Sequence, residues 1–442
     1  MQRVFNWFVG LVMFALLVVQ HAPVMGHVRS AVLDSAPLHR AHEALTSVII
    51  HDIFSPPVAS RIYVYAHIAA YEVLNQADDR YRSLEGQIEG FPKIPRPEKP
   101  VSHSLAGVYA FLITGQKLIF SEPVLEDSIQ AIVTSFRRKV PRKLFDESLQ
   151  YGRRVADVIL EWAASDGYSE TRKFTRYNLL REEGKWIPTP PAYMAAVEPH
   201  WKLIRPLALD SAAQFKPPAP TPFSKEKDTP FYDMAHKVYR TVRELTPEQE
   251  AIANFWDCNP FVVNVHGHAN YATKKLSPGG HWLSIAGIAS MQCQADMVQS
   301  SAAYTLTAIA LFDGFISCWE EKYRSNLIRP ETYINAYIDE TWKPVLQTPP
   351  FPEHTSGHSV ISTAAAVVLT DFFGDNFAFL DTSEVPYGYP PRQFRSFMEA
   401  CNEAAISRLY GGIHYLPAIE YGQIQGKKVG EKVLSKIRLT NN

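Results

Sequence analysis

Apolar residues recur at helical spacing along most of the chain. Between residues 38 and 77 they follow the i, i+3, i+4 rhythm of a buried helix face, interrupted at Pro56–Pro57. The same period continues over 103–120, 124–136 and 142–165, with the segment FPKIPRPEKP (91–100) as a surface connector. The period is lost among the closely spaced prolines of 186–230. The aromatics Trp186, Tyr193, Trp201, Phe215 and Phe223 give that stretch apolar surface to bury, so an ordered loop lying over the helices is expected. Helices are predicted again at 231–257, 283–327, 357–373, 391–409 and 416–436. Strand-like alternation is rare and no repeat of fixed period occurs. The pattern predicts an all-α helical bundle: a supporting region at 27–285 and a chemically richer region at 286–442, continuous in one globular unit.

The first 26 residues differ from the rest. Arg3 is their only charge, and Val9–Val19 is apolar apart from Gly10. A positive start followed by a short apolar run reads as a signal peptide, cleaved after Ala22 or Gly26. The run is shorter than the ~20 residues a spanning helix needs. The expectation is an exported protein, periplasmic or secreted, with no stable membrane span after cleavage.

Composition narrows the function classes. With 46% hydrophobic and 12% aromatic residues in 442, the chain can fill a large core and is not dominated by disorder. Lys+Arg is 44 against Asp+Glu 45, a net charge of −1, so no overall field exists to hold nucleic acid and any anion site must be a local cluster of cations. The four cysteines (Cys258, Cys293, Cys318, Cys401) form no CxxC pair and sit in apolar contexts, which predicts buried free thiols. His266 and His268 form an HxH pair that lacks an evident third ligand. His281, after the SPGG turn, is a candidate for a site entrance.

Three blocks carry candidate chemistry. In KYRSNLIRP, Lys322 and Arg329 are spaced by nearly two helical turns, which would place both on one helix face before Pro330 stops the helix. In FPEHTSGHS, Ser356 is an N-cap candidate for the apolar helix that follows. Gly357 allows close backbone approach there, and His358 lies beside the free N–H groups of the first turn. In SRLYGGIHYLP, Arg408 and His414 flank the Gly411–Gly412 reversal. Each block alone is compatible with an ordinary structural role. Together they supply three fixed cations, a hydroxyl, a backbone N–H and two imidazoles to a neutral protein. Cations gathered in this way repel one another unless an anion offsets them, and a tetrahedral oxyanion satisfies them all.

In this order the blocks fit K-x6-R-P, S-G-H and S-R-x5-H. They resemble the signature of the vanadium-dependent haloperoxidases and the related phosphatidic acid phosphatase type 2 superfamily, with Thr355 where the pattern has Pro. The chain is most similar to the bacterial exported haloperoxidase branch, which includes iodide-oxidising enzymes. The resemblance implies an active site in a C-terminal four-helix-bundle core and vanadate as cofactor, with phosphate as an isosteric occupant. It makes His414 the axial vanadium ligand. Lys322, Arg329 and Arg408, the Ser356 hydroxyl and the Gly357 N–H hold the vanadate oxygens. His358 takes the proton of hydrogen peroxide. Asp313 is implied as a partner of Arg408, and Trp319 and Phe351 as an apolar wall. Hydrogen peroxide, a halide and a small-molecule acceptor are the implied reactants, and a homodimer is compatible with the pattern.

One position departs from the signature. It ends H-x3-D, yet residue 418 is alanine, and Glu420 lies off the face of His414. The resemblance has that Asp orient the ligand histidine, so its absence bears on the basicity of His414, and a backbone carbonyl could take its place. His354 adds a third imidazole without an assigned role. Three functions fit the residues: vanadate-dependent oxidation of halide, iodide first; acid phosphatase chemistry through a phosphohistidine on His414, with His358 as the acid; or an anion-binding helical protein without catalysis. The length of the chain and Ala418 favour the haloperoxidase, because a nucleophilic His414 needs the missing Asp more than a metal-ligating one.

Overall fold

The chain winds around its most apolar helices. The computed structural model describes residues 34–266, 269–272 and 275–441; the expected signal segment 1–26 and His268 lie outside them. The first helices are α1 (Ala36–His51), α2 (Pro56–Leu74), α3 (His103–Leu118), α4 (Glu122–Phe136), α5 (Arg142–Ala164) and the single turn α6 (Tyr168–Thr171). After the proline-rich stretch come α7 (Pro230–Arg243), α8 (Pro247–Phe255), α9 (Pro278–Gln292), α10 (Met297–Ser325), α11 (Pro330–Tyr337), α12 (Gly357–Phe373), α13 (Phe397–Tyr410) and α14 (Leu416–Lys436). Two small antiparallel hairpins accompany them: β1 (Val263–His266) pairs with β2 (Ala269–Ala272), and β3 (Phe379–Asp381) with β4 (Arg392–Phe394).

Two predicted helices are each divided in two, and local caps explain both breaks. Thr246 accepts the Gln249 N–H at 3.3 Å in a capping box that starts α8 anew after α7. Asp296 accepts the Gln299 N–H at 2.8 Å and starts α10 after α9. The expected helix at 391–409 opens instead with β4, and Ser396 caps α13.

Helix α10 is the axis of the fold. Apart from Gln299, every residue from Met297 to Lys322 is buried, as is every residue of α2. Helices apolar on all sides are stable only when enclosed, and here α10 is packed by α2, α9, α12 and α14. It is long and apolar enough to cross a bilayer, but its apolar window is wholly buried inside the fold. Helix α14 reaches α12 through a stripe of Gly422, Gly426 and Gly430. A Cβ at Gly426 would collide with the Val360 carbonyl, so glycine sets the closeness of the two helices.

The stretch 186–230 wraps over α10 as predicted, with Trp186 and Trp201 fully buried, while Tyr193 is exposed. The Val197 carbonyl accepts from Trp319 Nε1 at 3.2 Å and from the Tyr323 hydroxyl at 2.6 Å. Asp313 is the main anchor of this loop. Its buried carboxylate accepts the N–H groups of Leu207, Ala208 and Leu209 at 2.8, 2.6 and 2.9 Å. This corrects the expected pairing of Asp313 with Arg408: the acid lies mid-helix and serves the loop backbone. The cysteines are free, and Cys258, Cys318 and Cys401 are buried, but Cys293, at the end of α9, is exposed against expectation.

Candidate active site

The three sequence blocks converge where α10 and α13 end and α12 and α14 begin. Lys322 lies in the last turn of α10 and Arg408 in the last turn of α13, where the carbonyl ends of the helices favour cations. The N-terminus of α12 faces them with free N–H groups. Helix dipoles thus support both the cations and an anion held between them.

Lys322 and Arg329 do not share a helix, contrary to the spacing argument. Helix α10 stops at Ser325, Asn326 takes a left-handed conformation at φ 50°, and Arg329 becomes the N-cap of α11, with Pro330 opening that helix rather than ending α10. The loop after α11 reunites the two side chains. Lys322 Nζ donates to the carbonyls of Pro352, Glu353 and Thr355 at 3.0, 3.1 and 2.6 Å. Arg329 donates to the Phe351 carbonyl and the Ile413 carbonyl, both at 2.8 Å. Burial, reinforced by Arg329, brings the Lys322 ammonium down to about 7, and burial brings the Arg329 guanidinium down to about 10. Arg408 donates to the Trp256 carbonyl at 2.7 Å and to Ser407 Oγ at 2.9 Å, and burial lowers it as well.

His414 follows the Gly411–Gly412 reversal, which Gly412 enables with φ 75°. Its Nδ1 lies 2.8 Å from Glu353 Oε1, and the Tyr415 N–H donates to the same oxygen at 2.9 Å. Glu353 therefore acts on Nδ1 as the missing Asp would, and a carboxylate rather than a backbone carbonyl takes that place. Arg329 Nη1 lies 3.1 Å from His414 Nε2. Because an arginine can only donate, Nε2 carries the lone pair and Nδ1 the proton. Burial and the neighbouring Arg329, Lys322 and Arg408 hold the ring neutral, well below the usual histidine range. Burial pushes the Glu353 carboxyl up to about 7, against the pull of Arg329, the Tyr415 N–H and Lys322.

Ser356 caps α12: its Oγ accepts the Ser359 N–H at 3.3 Å and shares a bond with the Ser359 hydroxyl at 2.9 Å. His358 is bonded to the Trp256 backbone through one ring nitrogen, while Nε2 has no partner. Burial first, then Arg408, His281 and Lys322, keeps this ring neutral too. Arg329 Nη2 is likewise buried without a partner. Gly357, His358, Arg408 and His414 border a cavity of about 40 Å³ that Trp319 and Phe351 also line, their rings 4.9 Å apart.

Other predicted residues lie elsewhere. His354 turns away from the cavity: Nε2 meets the Pro218 carbonyl at 3.3 Å, and burial lowers the ring to about 4. His281 is fully buried against Asp381 and Cys258 rather than at an entrance. Glu353 was missed, although it belongs to the FPEHTSGHS block. No local spacing links it to His414, 61 residues away.

The unpartnered atoms test whether a tetrahedral oxyanion suits this place. Arg329 Nη2 and His358 Nε2 are buried without partners beside His414, three cations and one acid, a set with an unmet guanidinium donor and surplus positive charge. A vanadate-like anion fits that set. Comparison with known proteins agrees. Residues 302–442 match the family model described as VCPO second helical-bundle domain. No match was found among curated proteins. The crystal structure of a bacterial vanadium-dependent iodoperoxidase is similar at 48% identity and a TM-score of 0.88, covering 93% of this chain and 98% of that one. A holo-type bacterial vanadium-dependent chloroperoxidase shares the fold at 16% identity and a TM-score of 0.68, with 91% and 97% covered. The chain belongs to the vanadium-dependent haloperoxidase family.

Proposed function

We propose that this chain is a vanadate-dependent haloperoxidase that oxidises iodide with hydrogen peroxide. The observation that carries the reading is His414: a neutral imidazole whose Nε2 lone pair meets Arg329, with Lys322 and Arg408 as further buried cations acting on the ring. Arg329, Arg408, Ser356 and Gly357 would hold the vanadate oxygens, Lys322, whose three donors are taken by loop carbonyls, would add its positive charge, and His414 would ligate the metal. When bound, vanadate supplies a Lewis-acidic centre that activates peroxide towards halide. The remaining work falls to the protein. Glu353 keeps the Nδ1 proton of His414 in place and so presents Nε2 as a ligand. His358 Nε2, neutral and unpartnered, accepts a proton from hydrogen peroxide. Trp319 and Phe351 narrow the cavity, limit water and favour a large, weakly hydrated anion. The similarity to an iodoperoxidase supports iodide as the halide. In the same reading residues 1–26 are a cleaved export signal, which N-terminal sequencing of the mature protein checks.

The test uses protein stripped of metal and reloaded with orthovanadate. Iodide and bromide oxidation are followed beside hydrolysis of a phosphomonoester. Vanadate-dependent iodide oxidation that disappears in His414→Ala is the expected result. Phosphate release without halide oxidation would overturn the reading.

A further inference from the structure

A second constellation adjoins the catalytic cavity, and none of its side chains is among those assigned to the oxyanion. Cys258 Sγ, His281 Nδ1 and a Glu384 carboxylate oxygen all lie within 4.8 Å of one another. The three residues come from the segment after α8, the first turn of α9 and the turn after β3. All are buried, with relative exposures of 1%, 0% and 4%.

Hydrogen bonding alone does not satisfy this group. His281 Nε2 is taken by Asp381 at 2.8 Å. Its Nδ1 is approached from two sides, by Cys258 Sγ at 3.5 Å and by Glu384 Oε1 at 3.3 Å. An Nδ1 proton could be shared between the two, but only the sulfur contact has hydrogen-bond geometry. Glu384 Oε1 in fact has no hydrogen-bond partner, although it is buried and aimed at the ring. A cation between the three atoms gives that oxygen a partner. Tetrahedral zinc, with Zn–S near 2.3 Å and Zn–N and Zn–O near 2.0–2.2 Å, sets ligand–ligand edges of roughly 3.3–3.6 Å. The sulfur–nitrogen and nitrogen–oxygen separations, 3.5 and 3.3 Å, lie within that range. The Asp381–His281 bond is the outer carboxylate that metal-bound histidines commonly carry, fixing the ring so that Nδ1 faces the ion.

We propose that Cys258, His281 and Glu384 bind a divalent zinc-class ion, with Asp381 orienting His281. A thiolate and a carboxylate balance its charge, and three protein ligands leave one position for water. Cys258 also borders the catalytic cavity, so the ion would pin one wall of that cavity to α9 and the β3 turn. The site stands apart from the haloperoxidase reading, since none of its ligands holds the oxyanion.

The experiment is metal analysis of the full-length protein purified without chelator, followed by Co(II) titration of the stripped protein. About one zinc per chain and a thiolate-to-cobalt charge-transfer band are expected. Cys258→Ser should abolish the band, and Glu384→Gln should weaken Co(II) binding at least about tenfold, in protein whose near-UV circular dichroism stays native. His414→Ala should retain its zinc. No band in the folded full chain overturns the proposal. So does a band that survives Cys258→Ser but is lost in Cys293→Ser, unchanged Co(II) affinity in Glu384→Gln, or loss of zinc in His414→Ala. None of these readouts depends on halide oxidation, so failure here and failure of the proposed activity are separable.

Discussion

Glu353→Ala is the most informative perturbation of the site. Glu353 Oε1 accepts from His414 Nδ1 at 2.8 Å and from the Tyr415 N–H at 2.9 Å, and the acid is wholly buried. Truncation leaves two buried donors unpaired, at about 1–3 kcal/mol each. It also frees the imidazole to change tautomer or rotate, so that Nε2 no longer presents a fixed lone pair. Removal of an outer partner of a metal-bound histidine typically costs about 10–100-fold in affinity. That corresponds to roughly 1.4–2.7 kcal/mol of binding free energy. Glu353→Gln is the control, because its carboxamide oxygen can accept both bonds while the charge is lost. The assay is vanadate affinity by calorimetric titration of the metal-free protein, with kcat and KM for iodide measured on the reloaded enzyme. The Ala variant should lose both affinity and kcat, and the Gln variant should recover most of the affinity. Unchanged vanadate affinity in folded Glu353→Ala would refute the assignment of Glu353 as the positioning residue of His414.

Three further outcomes follow from the same geometry. The Lys322 amine is held at about 7 against an ordinary 10.5, so from pH 7 towards 10.5 the unfolded chain binds a proton that the folded chain lacks. Stability of the vanadate-free protein therefore gains with rising pH across that window relative to Lys322→Met, and bound vanadate should erase the gain; denaturant titrations at the two ends of the window read it. Asp313→Ala orphans the N–H groups of Leu207, Ala208 and Leu209 and should destabilise the protein by about 3 kcal/mol or more, with the KM for iodide nearly unchanged; a selective loss of activity instead would restore the expected link to Arg408. Among the four thiols only Cys293 is exposed, so native protein should react rapidly with a thiol reagent at that residue and slowly at the others.

What could be read from the sequence depended on whether a contact is local. The helix period found α12 and α14 with their ends in place, because each is bounded by a clear signal: Ser356 before α12, and Pro417 in the first turn of α14. Ser356, Gly357 and His358 were legible for the same reason, since a cap and the first turn of its helix are neighbours in sequence. Lys322 and Arg329 were found by a spacing whose geometric explanation was wrong. Asn326 ends the helix between them, and a residue other than glycine in a left-handed conformation leaves little trace in a hydrophobic pattern. The contacts of Glu353, Asp313 and His281 reach across 61, 104–106 and 100 residues, beyond any spacing rule.

The placement of the acid at Glu353, with alanine at position 418, has a structural logic. The loop that carries it, PPFPEHTS, already orients the cations. Its Phe351 carbonyl holds Arg329, and its Pro352, Glu353 and Thr355 carbonyls hold Lys322. The Glu353 N–H in turn donates to the Leu327 carbonyl at 3.1 Å, which ties the loop to the link between those two cations. Pro349, Pro350 and Pro352 fix φ along the loop and remove N–H groups that would otherwise compete near the site, so the carbonyls point at cations in a preset order. With Glu353 in the same loop, one rigid segment sets the ligand histidine, both cations and the start of α12. An acid on α14 would orient His414 from a separate element. One segment gives closer registration among these groups, and it also means that a change in loop conformation disturbs them together. Substituting Pro352 with glycine should therefore weaken vanadate affinity in calorimetric titration of the metal-free protein, although the Pro352 ring itself makes no hydrogen bond; unchanged affinity would refute this role of the loop.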